Sequence, residues 1–127
     1  MKKQIQFISS LLVLSALLLV SCKKESEENF GKPTDEKASL GKELFEGRGN
    51  CIACHKPDVK VVGPSLQDIT KMYKDKKLSV IPFLKGNQDP VMDPSQFEIM
   101  KANFAITKTF SAEELKAVED YIFSFSK

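Results

Sequence analysis

Glycine and proline are scarce in this chain, six of each, and no stretch repeats at a fixed period. That excludes a collagen-like or low-complexity protein. At 127 residues there is also too little chain for a multidomain enzyme, which leaves one small domain. An excess of one charge is missing as well. Lys and Arg number 19 against 17 Asp and Glu, and setting aside Lys2 and Lys3, which belong to a segment that reads as cleavable, makes the counts equal. A neutral domain carries no electrostatic footprint for nucleic acid, and none is expected as a partner. No segment alternates apolar and polar residues in the manner of a half-buried strand, so the fold class is all-α. Histidine and arginine occur once each, as His55 and Arg48.

The long apolar run lies at the start. Lys2 and Lys3 precede an apolar stretch from Phe7 to Val20, short of the roughly 20 apolar residues a transmembrane helix needs. Residues 1–21 therefore read as a secretory signal peptide. The end of the run, Leu19-Val20-Ser21-Cys22, resembles a bacterial lipobox. That resemblance implies cleavage before Cys22 and acylation of its thiol and new amino group, with a lipid bilayer as partner. The competing reading is an ordinary anchor helix with an incidental cysteine. Residues 22–36 then comprise the lipidated cysteine and a charged tether in which Phe30 is the one large apolar group. As a flexible coil its fourteen residues after Cys22 have a root-mean-square span of about 20 Å.

Residues 37–127 carry helical patterns. Leu40, Leu44 and Phe45 share a face before Gly47-Arg48-Gly49 stops a first helix. Leu66, Ile69, Met72 and Tyr73 predict a second over about 65–74, with Pro64 near its start and Met72 in the core. Two helical turns are expected over 78–86, with Ser79 as cap and Gly86 as stop. Pro90 and Pro94 make a loop, and Gln96 to Lys101 add a turn. The last helix has the fullest signal. Ser111 and Glu114 predict a capping box, Phe110 a staple onto Leu115, and Leu115, Val118, Tyr121, Ile122 and Phe125 an apolar stripe. Some 90 residues with this much loop cannot easily build an adequate core unaided. A large apolar group inside would supply one.

Cys51-Ile52-Ala53-Cys54-His55 is C-x-x-C-H, the attachment signature of c-type haem. Two thiols three residues apart can reach the two vinyl groups on one macrocycle edge, and the adjacent imidazole is directed at the iron. A thioredoxin-like pair would need a βαβ context absent here. A zinc site would need a fourth ligand that the chain does not readily offer. A plain disulfide between Cys51 and Cys54 is the simplest rival in an exported protein.

Together with Gly41 to Phe45, Val62-Gly63-Pro64-Ser65-Leu66 and the final helix with Tyr121, this block resembles a monohaem class I cytochrome c of the small bacterial type. The resemblance covers most of residues 37–127. It implies three to five short helices around one haem c bound covalently through Cys51 and Cys54. It further implies a crossing of the first and last helices at Gly41, Phe45 and Tyr121, and His55 as proximal ligand hydrogen-bonded to the carbonyl of Pro64.

With no second histidine, the other face of the iron must take methionine, lysine, water or nothing. Met92 lies in a proline-flanked loop. Met100 is followed three residues on by Asn103, which in small bacterial relatives bonds near the ligand sulfur, and it follows His55 by 45 residues as in those relatives. Met100 is the favoured ligand and Met92 the alternative, although the chain lacks the family's Pro-Met or Met-Pro pair.

The expected function is a membrane-anchored electron carrier, not an enzyme. The protein would be exported to the periplasmic side of a bacterial membrane and exchange electrons with redox donor and acceptor proteins, such as membrane respiratory complexes. Lys56, Lys60, Lys71, Lys74, Lys76, Lys77 and Lys85 are candidates for a docking rim, or simply a solvated surface. Two other readings are a subunit or docking module of a larger oxidase or reductase, and a five-coordinate haem enzyme or sensor. Against the last, no distal histidine is available.

Overall fold

The computed structural model describes residues 35–126. The signal segment 1–21, Cys22 and the tether as far as residue 34 lie outside the described residues. Helix α1 spans Asp35–Glu46. It starts two residues ahead of the boundary expected at 37, so the last two residues assigned to the tether are helical. Glu36 favours this, because it sets negative charge near the positive end of the helix dipole. The helix stops at the glycine pair, where the amides of Gly47 and Gly49 donate to the carbonyls of Glu43 and Leu44 at 2.8 and 2.7 Å.

A 3-10 turn, Cys51–Ala53, leads into an irregular loop. Helix α2, Leu66–Asp75, follows it, with Ser65 capping through its hydroxyl, which accepts from the Asp68 amide. Helix α3, Ile81–Leu84, ends at Gly86, whose φ of +71° is the left-handed stop expected of a glycine there. The 3-10 turn Pro94–Gln96 runs into α4, Phe97–Lys101. Helices α5, Phe104–Thr107, and α6, Ala112–Phe123, complete the order. The all-α expectation holds. The six α-helices among the described residues exceed the anticipated three to five by the single turn α5.

Helices α1 and α6 cross at Gly41. A Cβ there would stand 2.1 Å from the carbonyl oxygen of Ala117 and 2.8 Å from the Cβ of Tyr121, so no side chain fits. Beside the crossing, the rings of Phe45 and Tyr121 pack with centroids 5.4 Å apart. Leu66 and Leu115 are wholly excluded from solvent, each contributing about 1.5–3 kcal/mol of burial. The capping box of α6 is complete, with Ser111 and Glu114 each accepting from the other's amide.

Buried polar groups fasten the other helices to this pair and to one another. The Thr70 hydroxyl donates to the carbonyl of Ile122 at 2.6 Å, and that of Thr107 to the carbonyl of Leu84 at 2.6 Å. Glu119, on α6, accepts from the Ser79 hydroxyl and the Val80 amide at 2.6 and 3.0 Å. Its carboxylate therefore secures the start of α3 together with Ser79, whose own oxygen accepts from the Ile81 amide. Met72 is half-buried rather than in the core. The buried face of α2 runs through Leu66, Thr70 and Tyr73, and Met72 falls to one side of it.

Candidate functional site

The segment between α1 and α2 is shaped around one imidazole. The His55 amide donates to the Cys51 carbonyl at 2.9 Å, and the Gly63 amide to the Cys54 carbonyl at 3.0 Å, so the loop returns on itself. His55 and Lys60 form an isolated antiparallel bridge across it. Gly63 then lies flat under the ring, where an added Cβ would come within 2.3 Å of Cε1. His55 Nδ1 stands 2.8 Å from the carbonyl oxygen of Pro64. A carbonyl can only accept, so Nδ1 carries the proton and Nε2 keeps a free lone pair. Burial lowers the His55 pKa, opposed by the bond to Pro64, and the ring is neutral at pH 7.

That ring faces an apolar cavity of about 360 Å³. Its walls come from every part of the fold: Phe45 of α1, Ile69 and Tyr73 of α2, Phe83 and Leu84 of α3, Val118 and Ile122 of α6. Both thiols line it and neither is in a disulfide. Cys51 is buried, its thiol lies 3.4 Å from the carbonyl of Gly49, and burial pushes its pKa up to about 11. Burial likewise pushes the Tyr73 hydroxyl up to about 12. Both groups are therefore uncharged at pH 7, as an apolar cavity requires.

The structure brings Cys51, Cys54, His55, Pro64, Met92 and Met100 to this one cavity. Met100, in α4, also packs on the core. Asn103 lines the cavity too, but its amide donates to the carbonyl of Gly49 at 3.0 Å rather than to a sulfur. Tyr73 and Thr107 are wall residues that sequence reasoning did not assign to the site. Tyr73 alone carried a signal, as a polar-tipped residue on the apolar face of α2.

Of the seven lysines, Lys60 pairs with Asp93 and Lys71 with Asp75, and Lys74 donates to the carbonyl of Phe123. Among the described residues no helix is long and apolar enough to cross a membrane, and no cluster of three or more His, Cys, Asp or Glu could hold a metal ion.

A family model described as cytochrome c matches residues 38–126. The chain belongs to the cytochrome c family. Among its relatives, cytochrome c-551 of Bacillus subtilis (strain 168) is 35% identical over 78 residues, covering 57% of this chain and 68% of its own. Cytochrome c-552 of Nitrosomonas europaea is 59% identical over 29 residues, 23% of this chain and 28% of the relative. Cytochrome c-551 of Pseudomonas denitrificans is 46% identical over 35 residues, 28% and 42% of the two chains.

Membership carries with it a covalent haem c, held through Cys51 and Cys54, and an electron-carrying role. The residues present fit that group. The cavity is apolar, both thiols are free at its wall, and Gly63 leaves room under an imidazole whose Nε2 is unprotonated. When bound, haem supplies an iron that passes between ferric and ferrous states.

Proposed function

We propose that this protein is an exported, lipid-anchored electron carrier in which His55 and Met100 hold the two axial positions of the haem iron. The observation that carries the axial assignment is the fixed tautomer of His55. Pro64 holds Nδ1–H, which orients the ring, leaves Nε2 as the donor atom and makes the ring more basic. Met100 is favoured over Met92 because it sits in a helix and packs on the core, whereas Met92 lies in a loop. A thioether on the second face favours ferrous iron, raises the potential and closes the site to substrates.

The chain's own work is to bind, orient and exclude water. Phe45, Ile69, Phe83, Leu84, Val118 and Ile122 keep the cavity apolar, so little solvent reorganises when the charge on the iron changes. No bond in a substrate is made or broken. The partners are redox proteins that meet an exposed edge of the group, with Lys56, Lys76, Lys77 and Lys85 as candidate docking charges. The acylated Cys22 and the charged segment after it hold the domain beside a bacterial membrane, on the periplasmic side.

Carbon monoxide and fatty-acid labelling test the two halves. The reduced wild-type holoprotein binds carbon monoxide slowly and weakly on this reading, and ready binding contradicts it. Cys22→Ser abolishes incorporation of labelled fatty acid into the holoprotein without altering its visible spectrum. A wild-type holoprotein that incorporates no labelled fatty acid contradicts the lipid anchor.

A further inference from the structure

The loop of residues 88–93 walls one side of the cavity through Val91, Met92 and Asp93. Among the described residues no backbone hydrogen bond joins residues 88–92 to another element. What fixes the loop polarly is Asp93. Its backbone is left-handed, φ +38° and ψ +67°, a conformation Asp tolerates better than most residues. Its carboxylate accepts from Lys60 Nζ and from the Ser95 hydroxyl, both at 2.5 Å. Lys60 is 33 residues away in sequence and lies on the loop that carries His55, to which its backbone is bridged. One ion pair thus joins the His55 loop to the Met92 loop and, through Pro94, to the segment that delivers Met100.

We infer that Lys60 and Asp93 are a positioning pair, a tie that holds the Met92 loop in place and so sets how readily a small molecule reaches the iron face opposite His55. This rests on the proposed axial ligation. Neither residue touches an axial ligand through this bond. The pair acts through the placement of Met92 and of the turn leading into α4. Because the Lys60 side chain is 59% exposed, the tie is modest, and salt weakens it.

The test uses the full-length holoprotein with Lys60→Gln and Asp93→Asn. Asn keeps the left-handed backbone and, through Oδ1, the Ser95 contact, so Asp93→Asn removes the charge and the acceptor that faces Lys60. Imidazole binding to the ferric protein is followed by stopped flow, and amide hydrogen exchange is followed at residues 88–93. Both single variants bind imidazole about 2–5-fold faster at low salt, and exchange at residues 88–93 rises by a similar factor. Added salt brings wild type toward the variants.

Unchanged binding and unchanged exchange in both single variants overturn the proposal. If wild-type protein binds imidazole without displacing a sulfur ligand, the axial assignment fails instead, and the exchange of residues 88–93 still decides on the tie.

Discussion

The side-chain amide of Asn103 donates to the carbonyl of Gly49, 3.0 Å away, and so joins the residue three after Met100 to the residue two before Cys51. The same carbonyl lies 3.4 Å from the Cys51 thiol. A thioether at Cys51 has no S–H to donate, so in the mature protein Asn103 is the remaining side-chain partner of this oxygen. One bond thereby keeps the methionine segment in register with the attachment segment.

Asn103→Leu is expected to lower the stability of the holoprotein by about 1–3 kcal/mol, because it leaves the part-buried Gly49 carbonyl without that donor. Denaturant unfolding followed at the haem band measures it. A midpoint equal to that of wild type would show that the bond contributes nothing.

Gly41→Ala reverses the usual sign of a helical substitution. In an open helix the change stabilises by about 1 kcal/mol. Here the new methyl meets backbone, the Ala117 carbonyl, which cannot rotate away. The expected result is a loss of about 1–3 kcal/mol or more, read as a lower thermal midpoint. A gain in stability would show that α1 and α6 do not meet as described.

Thr107→Val removes the hydroxyl that donates to the Leu84 carbonyl within the fold. With shape nearly kept, the expected cost is about 1–2 kcal/mol. The effect should add to that of Gly41→Ala, since the Thr107 bond joins α5 to α3 while Gly41 sits at the crossing of α1 and α6. Strong coupling in the double variant would contradict that independence.

Glu114 gives the acid side of the stability profile. Its carboxyl is held below the ordinary value of 4.5, first by the Ser111 amide and then by Arg48, whose guanidinium also stacks on Phe110 at 4.4 Å. A depressed carboxylate means that the unfolded chain takes up the proton first. The stabilisation is complete above the ordinary carboxylate range and is lost as pH falls through the folded value. Arg48→Met should raise the Glu114 midpoint, measured by NMR titration of the side-chain carboxyl, but leave it below 4.5 because the Ser111 bond remains. A midpoint that does not move would remove Arg48 as a cause.

What could be read from the sequence is what depends on near neighbours. The capping box needs only Ser111 and Glu114, and the stop at Gly86 needs only a residue free to take positive φ. The attachment motif is five consecutive residues, and the carbonyl that orients His55 lies nine residues on. The bonds that lock the helices together join residues 23 to 54 apart: Thr107 to Leu84, Lys60 to Asp93, Glu119 to Ser79, Thr70 to Ile122, Asn103 to Gly49. No local pattern announces them. Helix α5 was hidden for a related reason. Phe104-Ala-Ile-Thr107 has no side-chain cap of its own, and burial of Phe104 and the long-range bond of Thr107 support it in place of local propensity.

The choice between two sulfurs tests the account most directly. Ferric iron bound to a thioether gives a weak far-red absorption band, and the wild-type holoprotein should show it. Met92→Ala should keep the band, while Met100→Ala should lose it and open the iron to carbon monoxide when reduced. A band that survives Met100→Ala and vanishes in Met92→Ala would contradict the proposed ligand pair.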